Sequence, residues 1–471
     1  MMNADDFLDN EVEQDVHRYE SMLRNKTQEY FDAETLESIC EYYVSKEKLK
    51  HALEVTYFGE ELYPNNVGLM LNRAEIFIAL SRFEEALDVI YKAEVFEPYN
   101  DELALLKGDA LLNLGDTAHA EEEFKKALQY TDDRSDMLFQ LGYINEDCRR
   151  FDVALTYFEQ IIEEFPSAEQ AYFDAANTCQ MLDKSIDALN YINKLIDINP
   201  YQADAWFYLG TIYSKLKQSV QAIEAFDYCL AIDDTYNFAR FSKANELTEL
   251  EQFKEAIEEY KASLDEKKPD AITLCNIGGC YERLDQDMIA GSYYHQAIKI
   301  DPKLAEAWYG FGLTLEKSKH YKEAATYFTK AILLERSNIE YILTLAETLY
   351  RLDKPESAIE LYQEITDIDP KCMEAWLDWS FILFAQDKFD DAIAVLQTGI
   401  EQDPKNHLGH YRMACYLYAA GKTVQSKQFL ETALSINPKD FYHIYEILPE
   451  LQHVNDITAL IELYTTNNEK L

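Results

Sequence analysis

Two sets of side chains capable of binding a ligand recur along the sequence at intervals of 34 residues. One set is cationic and consists of Arg283, Lys317 and Arg351. A row of cations can hold a carboxylate or an acidic peptide segment through charge-assisted hydrogen bonds. The other set is aromatic, and its flat rings could stack on or grip an extended peptide. The aromatic set consists of Phe139, Phe173, Phe207 and Phe241.

Residues that could form a nucleotide, metal or catalytic site do not assemble into a complete motif. Gly310 and Gly312 give a G-x-G fragment, but a third glycine and a preceding strand are missing, which argues against a dinucleotide site. His407 and His410 have a spacing that zinc could use, yet no cysteine or carboxylate framework accompanies them. We expect ordinary histidines, no metal or other cofactor, no small-molecule substrate and no enzymatic activity.

The net charge of the chain restricts its partners. Asp and Glu number 87 against 43 Lys and Arg, which gives a formal charge of −44. Such a field repels nucleic acid and anionic membranes and attracts basic proteins or peptides. The alternative is that the acidity only keeps a long, exposed surface soluble.

Two features of the sequence favour a cytoplasmic protein. The N-terminus has no basic and apolar signal regions, and no apolar run of 18 residues is present. The eight cysteines form no C-x-x-C pair, so we interpret them as reduced thiols.

A 34-residue register from residue 33 to residue 440 defines the elements that must position these side chains. Position 8 of each unit is small, position 20 is alanine in eleven of twelve units, and position 32 is proline in eight. Small residues allow two helices to approach closely, and proline ends a helix. The units start at Ala33, Val67, Asp101, Ser135, Glu169, Ala203, Asn237, Ala271, Ala305, Ile339, Met373 and His407.

The sixth unit, residues 203–236, resembles the tetratricopeptide repeat, a 34-residue helix–turn–helix with the pattern W-x₂-L-G-x₂-Y followed by A-x₃-F. The matching residues are Trp206, Leu209, Gly210, Tyr213, Ala222 and Phe226. The resemblance implies an all-α fold, namely an α-solenoid in a right-handed superhelix. We expect residues 1–32 to form an acidic segment with a lead-in helix, residues 33–440 twelve repeats, and residues 441–471 a divergent capping helix pair.

In this family the first helices of successive repeats line a concave groove, to which positions 2, 5, 9, 12 and 13 contribute. Across the first four repeats none of these positions is Lys or Arg, and several are acidic. The resemblance therefore implies that the N-terminal part of the groove favours basic or neutral ligands. The acidic side chains there include Glu34, Glu37, Glu41, Glu75, Glu102, Asp109, Asp136, Glu146 and Asp147.

The aromatic and cationic rows fall at groove positions 5 and 13. Tyr309 and Tyr411 add to the aromatic row at position 5, where rings could hold a peptide, pack within the repeat, or do both. Tyr350, Phe381 and Phe384 accompany the cationic row. That row could bind a carboxylate, or it could only neutralise the neighbouring Glu282 and Glu316. The residue set of the family's chaperone-tail clamp is absent.

The sequence predicts a non-enzymatic scaffold that binds partner proteins or peptides in the groove. The alternative is a regulatory or substrate-recruiting subunit of an enzyme complex whose catalytic chain is separate. Neither the partner nor the biological process follows from the fold.

Overall fold

The computed structural model describes residues 4–265 and 268–468, and every regular element in that part of the chain is a helix. Residues 1–3 and 469–471, which belong to the predicted terminal segments, lie outside the described residues. The chain divides into two compact units, Met1–Asp234 and Thr235–Leu471. No described helix is long and apolar enough to cross a membrane.

The first unit begins with the helix Ala4–Asn25 and continues with six helix pairs. We call the two helices of each pair A and B. The A helices are Ala33–Ser45, Val67–Ala79, Asp101–Asn113, Arg134–Asp147, Glu169–Met181 and Ala203–Lys215. The B helices are Leu49–Leu62, Phe83–Ala93, Thr117–Tyr130, Phe151–Glu164, Ser185–Ile198 and Ser219–Ile232.

The second unit holds six further pairs. Its A helices are Asn237–Glu249, Ala271–Arg283, Ala305–Lys317, Ile339–Arg351, Met373–Ala385 and His407–Ala419. Its B helices are Phe253–Ser263, Asp287–Ile300, Tyr321–Leu334, Pro355–Ile368, Phe389–Gln402 and Thr423–Ile436. Within each unit, helices that follow one another along the chain pack together, which confirms an all-α solenoid of helix–turn–helix repeats.

The close approach of A and B helices depends on the small residue at position 8. A Cβ atom built on Gly210 would lie only 2.4 Å from the ring of Phe226, which is at position 24 of the same repeat. The alanine at position 20 is completely buried in all eleven repeats that carry it. Larger side chains at these places would force the two helices apart.

The turn between A and B helices has the same backbone conformation in every repeat. Position 15 is left-handed in all twelve, with φ between 56° and 88°. Glycine occupies that position only at Gly115 and Gly421. The other ten repeats hold a residue with a side chain in a conformation that costs about 1–2 kcal/mol relative to the right-handed one.

Terminal helices cover the two ends of the repeat array. Val16, Tyr19 and Met22 of the first helix are buried against the first repeat. At the other end, Ile444 and Ile457 are buried against the last repeat. The last segment consists of the 3₁₀ turn Pro438–Asp440, the short helix His443–Ile447, the 3₁₀ turn Pro449–His453 and the helix Asn455–Asn468.

Candidate binding face

The A helices carry all of the candidate binding side chains, and the cationic row at their C-terminal ends is ion-paired. Arg283 contacts Glu251 at 3.2 Å. Lys317 contacts Glu282 at 3.4 Å and Asp287 at 3.1 Å.

Arg351, the third cation, contacts Glu316 at 2.9 Å. Glu282 and Glu316 are thus partners of the row, as the alternative interpretation supposes. All three cations remain 43–62% exposed. A ligand carboxylate would therefore compete with internal partners for cations that solvent can still reach.

The aromatic row at position 5 is half-buried, and each ring contacts another aromatic residue. The centroid of Phe207 lies 5.9 Å from that of Phe226, and the centroid of Phe241 lies 5.7 Å from that of Tyr260. Phe139 lies 6.1 Å from Tyr143. These rings pack within the repeats and also keep part of their surface exposed. Packing therefore leaves some ring surface that a peptide can still contact.

The other members of the row differ from one another. Phe173 makes an edge contact with Tyr208, and Tyr309 donates a hydrogen bond to Glu340 at 3.1 Å. Tyr411 is completely buried and donates to the carbonyl of Asn437 at 2.7 Å. Tyr411 therefore packs inside its repeat instead of facing a ligand.

The three aromatics predicted beside the cationic row separate into two places. Tyr350 and Phe381 line one cavity of about 220 Å³ together with Arg351. Phe384 instead stacks on Tyr416, with centroids 4.5 Å apart and an angle of 17° between the rings. The structure thus brings Arg351, Tyr350 and Phe381 together and leaves Phe384 outside the group.

The first unit concentrates carboxylates whose ionisation is disfavoured. Burial raises the pKa of Asp109 to about 6, with a further contribution from the charge of Asp147. None of the carboxylates with a raised pKa in this unit forms a salt bridge within the described residues. Those with a raised pKa, in each case mainly through burial, are Glu37, Glu75, Glu102, Asp109, Glu146 and Asp174.

A polar cavity of about 390 Å³ on the second unit was missed from the sequence. The hydroxyl of Tyr260 donates to Asn245 at 2.6 Å, and the amide of Asn276 lies 3.5 Å from the same hydroxyl. The two asparagines belong to different repeats, and their separation of 31 residues was the available signal. The same separation joins Tyr143 to Asp174 and Tyr309 to Glu340, so it identifies neighbours on adjacent A helices.

The cysteines and histidines occupy structural positions. All eight cysteines are free, and burial raises the pKa of Cys179 to about 11, which keeps it protonated. His407 contacts Asp440 at 2.8 Å, and His410 lies 2.9 Å from the carbonyl of Pro404. One ring nitrogen of each histidine is thus engaged in a local contact, whereas Nδ1 of His410 is buried without a hydrogen-bond partner among the described residues.

Comparisons with family models find the same repeat along the chain. Models described as tetratricopeptide repeats match residues 105–169, 191–224 and 383–444. A model described as anaphase-promoting complex, cyclosome, subunit 3 matches residues 317–399.

One curated relative is tetratricopeptide repeat protein 8 of Caenorhabditis elegans. It is 27% identical over 129 residues, which cover 27% of this chain and 25% of the relative. This chain therefore matches only about a quarter of the relative's length.

Three solved structures illustrate the likeness. YrrB, described as a TPR protein with an unusual peptide-binding site, is 21% identical and has a TM-score of 0.34, covering 39% of this chain and 95% of its own. The Cut9–Hcn1 hetero-tetramer of the APC/C is 14% identical with a TM-score of 0.39, covering 90% and 94%. PilF of Pseudomonas aeruginosa is 16% identical with a TM-score of 0.40, covering 44% and 95%.

Since these TM-scores are all below 0.5, the family assignment depends on the repeats themselves. The helix pairs follow the 34-residue register through both units, and repeat models match three separate stretches. The chain belongs to the tetratricopeptide-repeat proteins.

Proposed function

We propose that the chain is a non-enzymatic, cytoplasmic scaffold that binds protein or peptide partners along its A helices. Nearly all of the described chain consists of repeats of a binding module. Rings, amides and carboxylates on the A helices remain partly exposed and line open cavities. A partner protein fits these features better than a small substrate does, since the cavities are open and spread over several repeats.

The observation that carries the proposal is a set of carboxylates in the first unit whose pKa values are raised and which have no salt-bridge partner among the described residues. Each of these groups is partly desolvated, and several face a like charge on a neighbouring repeat. A basic segment of a partner would supply the missing positive charges. We therefore assign basic segments to the A helices of the first unit.

The experiment measures binding of a lysine- and arginine-rich peptide to the full chain by fluorescence anisotropy. In the double variant Glu102→Gln/Asp109→Asn, two carboxylates that attract the basic peptide lose their charge. We therefore expect the affinity for the peptide to fall about tenfold.

The matched control is Glu84→Gln/Asp88→Asn, which changes the net charge equally at two exposed positions of the B helix Phe83–Ala93. Its affinity should change less than about twofold. Equal losses in both variants would show that only the overall charge of the chain attracts the peptide.

Capture of partners from the source cytosol tests the scaffold itself. The immobilised chain should retain the same proteins in repeated experiments. Reproducible absence of any partner would contradict the proposal. Clear turnover in hydrolase, transferase and phosphatase screens would do the same.

We also propose that the cationic row contacts the partner of the second unit, with Tyr350 and Phe381 beside Arg351 and with Phe384 as a separate contact next to Tyr416. Arg283, Lys317 and Arg351 are exposed enough to exchange an internal carboxylate for one of a ligand. Replacing all three with glutamine should abolish or redirect capture of that partner. Unchanged capture by a variant with intact helical content would remove the row from the proposal.

One observation favours the alternative of a subunit in an enzyme complex. Residues 317–399 match the model of a subunit of the anaphase-promoting complex. On that hypothesis the scaffold recruits substrates for a separate catalytic chain. Co-purification of one enzyme in a fixed stoichiometry would favour it, whereas a changing set of partners would favour the general scaffold.

A further inference from the structure

The cavity of about 220 Å³ in the second unit has an unusual lining. It lies between the A helices Ile339–Arg351 and Met373–Ala385 and the B helix Pro355–Ile368. Two carboxylates, one guanidinium group and three aromatic side chains, two of them tyrosines, share this small space. The lining residues are Glu347, Tyr350, Arg351, Tyr362, Asp378, Phe381 and Ile382.

Three carboxylates converge beside the cavity. Oxygen atoms of Glu347, Glu374 and Asp378 all lie within 4.8 Å of one another. Burial, with repulsion from Asp378, raises the pKa of Glu347, and burial also raises the pKa of Asp378. The three groups are thus held close together although their charges repel.

Two arginines neutralise the cluster only in part. The guanidinium of Arg412 is 3.5 Å from Asp378, but its shorter contact, 2.6 Å, is to the carbonyl of Leu377. Arg351 is 3.7 Å from Glu347, while its shorter contact, 2.9 Å, is to Glu316. The cluster therefore keeps the capacity to accept further hydrogen bonds.

The hydroxyl of Tyr362 lies at the same cavity. The side chain is only 2% exposed and lines the cavity, yet its hydroxyl forms no hydrogen bond within the described part of the chain. The tyrosines at the same position of two other repeats are satisfied, since Tyr260 donates to Asn245 at 2.6 Å and Tyr294 donates to Glu282 at 3.0 Å. The hydroxyl of Tyr362 therefore depends on water or on a ligand in the cavity to complete its hydrogen bonding.

We propose that this cavity binds the ammonium group of a lysine side chain from a partner protein, an inference that rests on the proposed scaffold function. A nitrogen placed between three oxygens no more than 4.8 Å apart lies about 2.8 Å from each, the length of a charge-assisted N–H···O bond. The three N–H groups of the ammonium match the three carboxylates, and the hydroxyl of Tyr362 lies beside them.

The aromatic lining fits the rest of the lysine side chain. The rings of Tyr350 and Phe381 offer apolar surface to its four-carbon stem and attract its charge. A divalent cation would leave this apolar surface unused. The lining thus selects an organic cation.

The test uses the full chain and a fluorescein-labelled pentapeptide with one central lysine, compared with the same peptide acetylated on the lysine nitrogen. Acetylation removes the charge and two N–H donors, so we expect it to abolish binding. Asp378→Asn should weaken binding of the lysine peptide about tenfold. Tyr362→Phe, which removes only the hydroxyl, should weaken it about threefold.

Glu323→Gln is the matched control, because it makes the same charge change at an exposed position of the B helix Tyr321–Leu334. It should change affinity less than about twofold. The proposal is overturned if the acetylated peptide binds equally well, or if Asp378→Asn and Glu323→Gln have equal effects. It is also overturned if Ca²⁺ or Mg²⁺ alone binds and Asp378→Asn abolishes that binding, while the lysine peptide does not bind.

Failure of this inference can be told apart from failure of the scaffold proposal. If the wild-type chain captures partners but discriminates neither peptide nor variant, only the lysine site is wrong. If the wild-type chain captures no partner at all, the scaffold proposal fails. Circular dichroism of each variant verifies that the helices remain folded.

Discussion

The A helices of the two units handle their negative charge differently. In the first unit, carboxylates such as Asp109 and Glu146 are partly buried without a salt-bridge partner among the described residues, and their pKa values are raised. In the second unit, Glu282 and Glu316 face Lys317 and Arg351 from the next repeat. The same repeat can therefore present an acidic surface that is not fully neutralised, as it also does in the second unit at Glu347 and Asp378, or one that cations at position 13 of the next repeat neutralise.

The difference teaches that specificity in this chain lies in a few side chains added to a constant frame. Positions 8, 15 and 20 repeat the same packing and the same turn in both units. Groove residues vary without disturbing that frame. Variants of the frame and variants of the charges should therefore have separate effects, and those of the frame should be the largest.

Overpacking the frame should destabilise both units alike. Leucine in place of Gly210 in the first unit, or of Gly312 in the second, would collide with the ring at position 24, because a Cβ atom already comes within 2.4 Å and 2.5 Å of it. We expect each variant to lose about 1–3 kcal/mol of unfolding free energy. Urea denaturation followed by circular dichroism measures the loss, and a clear loss in one unit only would contradict a common frame.

Neutralising a carboxylate of the first unit should stabilise the chain. Asp109→Asn removes a charge that burial and Asp147 disfavour. Because the group is only partly buried, we expect a gain of about 1–2 kcal/mol, less than its raised pKa alone would give. Thermal and urea unfolding measure it, and a loss of stability would show that the charge is already compensated.

Acidification should stabilise the folded chain, as Asp109→Asn should. The folded-state pKa of Asp109 is raised to about 6, above its ordinary value of 3.8, so the folded chain binds the proton more tightly than the unfolded chain. Its contribution to stability therefore grows as pH falls from 7 towards 5, by about 1 kcal/mol.

Lowering the pH from 7 towards 5 should also weaken binding of a basic peptide to the first unit, because the peptide needs the ionised carboxylate. Asp109→Asn serves as the control, since it should show a smaller rise in stability on acidification. An equal rise in the variant would assign the effect to other groups.

The smallest effect is expected in the second unit, with the opposite sign. Glu316→Gln makes the same charge change as Asp109→Asn but removes the partner of Arg351. We expect a loss of no more than about 1 kcal/mol, since Arg351 is 49% exposed. Urea unfolding of Glu316→Gln and Asp109→Asn should be measured in parallel. A gain of stability in Glu316→Gln would contradict the distinction between the two units.

Much of the fold was predictable because the register repeats. The first three A helices begin at Ala33, Val67 and Asp101, the residues at which the register places the first three repeats. The fourth begins at Arg134, one residue before its repeat, because the side chain of Asp133 caps it by accepting a hydrogen bond from the amide of Asp136. Such a local cap is invisible to a periodic pattern.

The binding face was predictable only in part. Acidic and cationic rows follow from positions in the repeat, but the contacts of a long side chain depend on its rotamer. Arg283, for example, contacts Glu251, 32 residues earlier, instead of a residue beside it in sequence. The unsatisfied hydroxyl of Tyr362 could not be predicted either, because Tyr260 and Tyr294 occupy the same position and are satisfied.

The constant length of the repeat also has a consequence for how the chain folds. Side-chain hydrogen bonds between neighbouring repeats join residues that are close in the sequence: Lys107 and Glu94 are 13 residues apart, and Ser380 and Tyr416 are 36 apart. Contacts of such short range cost little chain entropy to form, so a protein of 471 residues can acquire its structure with the low contact order of a small helical domain. We expect adjacent repeats to fold as soon as both have left the ribosome, without waiting for the rest of the chain.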